Sequence, residues 1–159
     1  MLLYDMLKEF VGKEEYQLGA MCLFVTEGVD CTYDRFKVCQ LMLYMQYMIK
    51  NIDRLSYFDY ERAIRLINEV VKENREELIR KFEEGVQKYG VVQYLEEINV
   101  IKDPLANKKE TGVKNVLNKL MYAMLRHGKK YLTSNSLDDK MGVVTNALMI
   151  LQIIIIHNS

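Results

Sequence analysis

Residues that favour turns and metal sites are scarce in this chain. Its 159 residues include no tryptophan, one proline and eight glycines, which disfavours an all-β sandwich with its many tight turns. Three cysteines without CxxC spacing and two histidines are a poor ligand set for zinc and indicate reduced thiols in an intracellular compartment, cytoplasmic or other. Half of the residues are hydrophobic and 22 bases balance 22 acids, which excludes a disordered chain. The all-α class remains.

The predicted organisation is one compact helical domain over residues 1–159, a bundle of six to eight helices without a cofactor. No repeat, linker or signal peptide interrupts it. We predict helices over 2–11 and 14–26. A third helix, about 33–54, carries apolar side chains on most of its circumference, so we expect it at the centre of the bundle.

The segment from 56 to 89 has the longest helical pattern. Ser56 and Asp59 have the spacing of a capping box. The apolar stripe that follows consists of Tyr60, Ile64, Ile67, Val71, Leu78, Phe82, Val86 and Tyr89. One helix of this length would span about 45 Å, so we expect a break or kink at Asn74. Gly90 is the predicted end.

The last third of the chain predicts three more helices. The first covers Val91–Ile101 and leads into a loop over 102–112 that holds the only proline. The second covers Val113–His127 and is stopped by Gly128. The third covers about 137–156 and opens with a second capping box, Ser136 with Asp139. Its Ile-rich apolar stretch is shorter than the roughly 20 residues that cross a bilayer, so we predict a buried helix and no transmembrane segment.

Motifs of known enzyme classes are missing from the sequence. There is no nucleotide-binding glycine motif, no HExxH, no EF-hand loop and no GxSxG. His127, at the end of its predicted helix, is expected at the surface beside the negative helix terminus. We therefore predict a protein that is not an enzyme and binds no metal.

Basic residues cluster in the segment 102–130, with eight bases against two acids. Lys119 and Arg126 are seven residues apart on one helix face. Such a surface suits a phosphate backbone or an acidic partner. The alternative is that these bases form an ordinary solvated helix face beside a loop. The candidate anion or nucleic-acid contacts are Lys108, Lys109, Lys119, Arg126, Lys129 and Lys130.

Methionine is abundant, with ten residues, and falls mainly in the most apolar helices. Flexible thioethers suit surfaces that repack around partners, and they also fill cores. Nearby tyrosines favour an interface on the central helix or the 56–67 segment. The Ile-rich C-terminal helix favours self-association into a homo-oligomer. The candidate interface residues are Tyr44, Met45, Tyr47, Met48, Ile153 and Ile156.

The size, the nearly continuous helices and the buried third helix are similar in outline to the compact Bcl-fold proteins with which poxviruses inhibit host signalling. That family's Asn-Trp-Gly-Arg type motif is absent, since the chain has no tryptophan. The expected function is a protein–protein interaction module, an inhibitor or adaptor from a virus or mobile element. The alternative is a nucleic-acid-binding protein that uses 102–130.

Overall fold

The computed structural model describes residues 33–99 and 112–159. Within these ranges it contains six α-helices, one short 3-10 helix and no strand, which confirms the all-α class. The helices are α1 (Tyr33–Lys50), α2 (Tyr57–Lys72), α3 (Arg75–Tyr89), α4 (Val91–Asn99), α5 (Val113–Ser134) and α6 (Leu137–His157), with the 3-10 helix at Ile52–Arg54. The helices predicted over 2–11 and 14–26, and the loop predicted from residue 102 to residue 111, lie outside the described residues.

Helix α1 supplies much of the main hydrophobic core. Its apolar side chains recur at three- and four-residue steps, but the burial is wider than that stripe, since every residue from 38 to 45 is buried, Gln40 included. The residues of α1 that are less than a tenth exposed include Val38, Leu41, Met42, Met45, Met48 and Ile49. Burying one such side chain contributes roughly 1.5–3 kcal/mol.

Helix α6 contacts each of the other five described helices, whereas α1 packs mainly on α2, α5 and α6. The central position that the sequence predicted for residues 33–54 is not confirmed by these contacts. The small residues Gly142 and Ala147 of α6 are buried and let neighbouring helices approach closely. By length and composition α6 could cross a membrane, contrary to the length argument from the sequence, and most of it is buried inside the structure.

The predicted break at Asn74 is confirmed. Helix α2 ends at Lys72 and α3 begins at Arg75, because Asn74 leaves the helical conformation with φ −148° and ψ 48°. Its side-chain Oδ1 accepts a hydrogen bond from Lys140 Nζ at 2.6 Å. Gly90 ends α3 as predicted, with φ +80°, a conformation that favours glycine.

The prediction that Gly128 stops its helix is wrong. Helix α5 continues through Gly128 to Ser134 and ends at Asn135, which is left-handed with φ 61°. Gly128 is buried against Met42 of α1, and a Cβ at this position would overlap the Met42 thioether. The glycine therefore allows close helix packing instead of ending the helix.

One of the two predicted capping boxes forms. Asp59 lies at the third position of α2 and its carboxylate accepts the backbone N–H of Ser56 at 2.7 Å. Ser136 precedes α6 at the expected place, but Asp139 pairs with His127 instead of returning to the helix start.

The stripe predicted over 60–89 is buried only in part. Ile67 and Leu78 are buried, whereas Ile64 is 47% exposed. The core side of α2 is formed by Ala63, Leu66, Ile67 and Val70. The sequence assigned Ile64 to the buried stripe because it lies four residues after Tyr60. In the structure that position lies at the edge of the buried face of α2.

Candidate functional site

The most exposed large hydrophobic side chains in the described residues are the first two of α2. Tyr57 is 75% exposed and Phe58 is 78% exposed. The helix start is held by Asp59, whose Oδ1 accepts a hydrogen bond from the Tyr44 hydroxyl of α1 at 3.0 Å. Since the core-facing positions of α2 begin near Ala63, Tyr57 and Phe58 flank the buried side and face solvent.

The hydrogen bond from Tyr44 of α1 to Asp59 of α2 is partly buried. Tyr44 is buried, and burial together with its hydrogen bond to Asp59 raises the pKa of its hydroxyl well above its ordinary value. The Arg62 guanidinium lies over the Tyr44 ring, 5.4 Å from its centroid. The start of α2 is therefore a fixed platform for the two exposed aromatic rings.

A groove of about 440 Å³ runs between α1 and α2. Lys37 of α1 and Glu69 of α2 both line it, and they form an ion pair at 2.8 Å. The residues that line the groove are Lys37, Gln40, Phe58, Glu61, Arg62, Arg65, Leu66 and Glu69. It joins apolar surface from Phe58 and Leu66 to a charged rim.

The end of α6 lies at the same end of the molecule as the start of α2. The Asn158 amide donates hydrogen bonds to the Ile52 carbonyl at 2.9 Å and to the Tyr60 hydroxyl at 2.8 Å. Just before Asn158, Ile155 is 41% exposed and Ile156 is 65% exposed. We call Tyr57, Phe58, Ile155 and Ile156 the apolar end.

The predicted interface residues are divided by the fold. Tyr44, Met45 and Met48 are buried in the core and offer no binding surface, because the α1 faces that carry them are covered by other helices. Tyr47 and Ile153 are half-buried against that core. Ile156 is exposed and belongs to the apolar end. The expected interface at the α1 methionines is therefore corrected to core packing.

Phe58 is a candidate residue that sequence reasoning missed. The segment 56–67 was singled out for its tyrosines, and Tyr57 was among them. The available clue was the run Tyr57-Phe58-x-Tyr60, in which Tyr57 and Tyr60 are three residues apart and fit the apolar stripe of α2, whereas Phe58 does not.

The predicted anion contacts on α5 share one face. Lys119, Lys129 and Lys130 are exposed and Arg126 is half-buried. Tyr122 lies among them and is 72% exposed. We call these five residues the basic face. The remaining two candidates, Lys108 and Lys109, lie outside the described residues.

Sequence reasoning also missed a buried polar cluster. Lys140 has no exposed surface, and its Nζ donates hydrogen bonds at 2.6 Å to both Asp34 Oδ1 and Asn74 Oδ1. The Tyr131 hydroxyl donates to the other carboxylate oxygen of Asp34. Burial, and then this hydrogen bond, raises the pKa of Tyr131. The cluster joins α1, the α2–α3 junction, α5 and α6.

His127 is not the surface residue that the sequence predicted. Its ring is 12% exposed and packs against Gly142 of α6. Nδ1 lies 3.0 Å from Asp139 Oδ1, and Nε2 lies 2.5 Å from the Ile98 carbonyl oxygen. The error follows from the wrong helix end, since α5 continues for seven residues beyond His127.

No group of three or more His, Cys, Asp or Glu side chains that could hold a metal occurs in residues 33–99 and 112–159. Cys39 is a free thiol buried in the core, and Cys22 and Cys31 lie outside these ranges.

Comparison with known proteins adds no family. No protein-family profile, no curated protein and no solved structure matches the chain.

Proposed function

We propose that the protein is a helical protein–protein interaction module that binds a partner through the apolar end and the adjoining α1–α2 groove. The proposal includes the finer architecture expected from the sequence, a compact single-domain bundle over residues 1–159. The observation that carries it is the exposure of Tyr57 and Phe58, two adjacent aromatic rings on a fixed helix start.

Exposed aromatic pairs are unusual on a surface that has no partner. Aromatic residues and arginine are enriched at the centres of protein interfaces, where they account for much of the binding energy. Two such rings bury roughly 300 Å² when a partner covers them. Arg62 and Arg65 line the groove beside Phe58, so apolar anchors and charged groups for orientation lie next to one another.

The composition of the groove supports a binding role over a catalytic one. It is lined by lysine, arginine, glutamate, glutamine, leucine and phenylalanine, without histidine, cysteine, serine or threonine. The His127–Asp139 pair is largely buried, with its ring nitrogens next to protein oxygen atoms. We therefore propose a module that is not an enzyme.

The proposed biological role is that of an inhibitor or adaptor from a virus or mobile element, acting in an intracellular, reducing compartment. A small module with an exposed binding surface acts by covering or bridging its partner. The exposed isoleucines of α6 add self-association to the proposal, because uncovered apolar side chains at a helix end favour contact between copies.

Affinity capture with matched baits tests the proposal. The baits are the full-length wild type, a Tyr57→Ser/Phe58→Ser variant and a Val91→Ser/Val92→Ser control, which changes two adjacent exposed apolar residues at the start of α4. Proteins captured from cells that express the chain are identified by mass spectrometry, purified and titrated against all three. We expect one direct partner whose affinity falls at least about tenfold with the α2 variant alone.

The result that overturns the proposal is equal capture and equal affinity for all three baits. Circular dichroism melts of the baits must coincide, since a loss of binding counts only for a folded variant. Catalytic turnover of a substrate by the purified chain would overturn the assignment as a protein that is not an enzyme.

A further inference from the structure

Helix α5 has an unusual charge. Its 22 residues contain five bases and no acid, and it is the only described helix without aspartate or glutamate. Lysines in the last turn of a helix are stabilised by the negative helix terminus, which would be one reason for Lys129 and Lys130. Because α5 runs on to Ser134, neither lysine lies in its last turn. The helix terminus therefore does not account for their position.

The helical repeat gathers four of the five bases on one side. At 100° per residue, the five members of the basic face fall within an arc of about 100°, and they extend for about 16 Å along the axis. Lys129 and Lys130 make no ion pair within the part of the chain that the structure describes. The face presents a strip of basic side chains, in which the half-buried Arg126 also lies 3.4 Å from His127 Nε2.

Tyr122 lies within this strip, three residues after Lys119 and four residues before Arg126. Its ring is 72% exposed, so a flat aromatic surface stands between positive charges. Proteins that bind single-stranded nucleic acids combine these two elements, cations along the phosphates and an aromatic ring on which a base stacks.

We propose that the basic face of α5 binds single-stranded nucleic acid, with Lys119, Arg126, Lys129 and Lys130 along the phosphates and Tyr122 stacked on a base. A length of about 16 Å accommodates a short single-stranded segment. A duplex keeps its base faces covered, and an acidic peptide gives the Tyr122 ring no base to stack on. This surface shares no residue with the apolar end, so the two proposals are tested by different variants.

Fluorescence anisotropy with a labelled ten-nucleotide oligo-dT tests the charged part. The variant is Lys119→Gln/Lys129→Gln/Lys130→Gln in the full chain. At low salt we expect at least a tenfold loss of affinity. In a plot of log K against log salt concentration, each phosphate contact contributes about −0.7 to the slope for a single strand. Removing three contacts should therefore make the slope shallower by about 2.

The matched control changes three exposed bases on α2 and α3, Lys72→Gln/Arg80→Gln/Lys88→Gln, and lowers the net charge by the same amount. We expect it to bind within twofold of the wild type. Equal losses in both triple variants, or no binding by the wild type at low salt, overturn the proposal.

The stacking part has its own variant. Tyr122→Ala should weaken oligo-dT binding at least fivefold, since base stacking on an aromatic ring contributes about 1–3 kcal/mol. The same variant should bind an abasic oligonucleotide like the wild type, and Tyr57→Ala should leave both affinities unchanged. Tighter binding of a duplex or of poly-glutamate than of oligo-dT, or no effect of Tyr122→Ala, refutes single-strand recognition.

Discussion

Replacing Lys140 by methionine removes the cation from the buried polar cluster while keeping a long, unbranched side chain. The Lys140 ammonium bonds Asp34 and Asn74 at 2.6 Å each and is fully buried. Its loss leaves the Asp34 carboxylate without a counter-ion. Removing one partner of a buried ion pair costs about 3–5 kcal/mol. Asp34 is 17% exposed and keeps the Tyr131 hydroxyl as a donor, so we expect about 3 kcal/mol.

The assay is urea unfolding followed by circular dichroism, supported by thermal melts. For a chain of this size, 3 kcal/mol corresponds to a fall in Tm of roughly 6–12 °C. Lys81→Met is the matched control, because Lys81 pairs with the exposed Asp138 at 3.3 Å. Ion pairs at the surface contribute about 0–1 kcal/mol, so the control should change little.

A double variant distinguishes the loss of the Lys140–Asp34 attraction from the cost of leaving the Asp34 carboxylate buried without a counter-ion. Asp34→Asn combined with Lys140→Met leaves no ionised group in the cluster, so we expect it to be more stable than Lys140→Met alone by at least about 1 kcal/mol. The reasoning is refuted if Lys140→Met costs no more than Lys81→Met, or if Asp34→Asn makes the methionine variant worse.

Three further predictions concern packing, pH and association. Gly142→Ala should lower the free energy of unfolding by about 1–3 kcal/mol in urea titrations, because the new Cβ would overlap the His127 ring; unchanged stability contradicts this contact. Burial and carboxylate hydrogen bonds raise the pKa of Tyr44 and Tyr131 above the ordinary value of 10.0, so their stabilisation is complete below about pH 10 and declines as pH rises further. Between pH 8 and pH 11 the Tm should fall less steeply in the Tyr44→Phe/Tyr131→Phe variant than in the wild type. Parallel plots of Tm against pH would contradict this linkage. Ile156→Asp should lower the mass measured by light scattering from oligomer to monomer, and a monomeric wild type rules out self-association.

The features predicted correctly depend on neighbouring residues. The capping box joins Ser56 to a residue three positions later, and the break occurs at Asn74, a poor helix former. Spacing alone is not sufficient, because Asp139, at the same distance from Ser136, pairs with His127 instead. Gly90 ends its helix because glycine accepts a positive φ. The all-α class follows from the same local rules, repeated along the chain.

The errors concern which face of a helix is covered. Met45 and Met48 are as apolar as any interface residue, and only the helices that cover them make them core. Ile64 fits the helical stripe, but the covered side of α2 is centred elsewhere. Gly128 was interpreted as a helix end because glycine is a common helix terminator. Its packing role could not be predicted locally, since its partner Met42 is 86 positions earlier in the chain.

Local sequence alone determined that the chain forms helices, where several of them begin and end, and that one of them carries only positive charge. Tertiary structure alone decided which apolar residues stay exposed and which polar residues meet. Asp34 and Lys140 are 106 residues apart, and nothing in either segment indicates the other. Their contact, like the exposure of Phe58, follows from the way whole helices pack, because burial depends on every neighbour that a side chain meets in space.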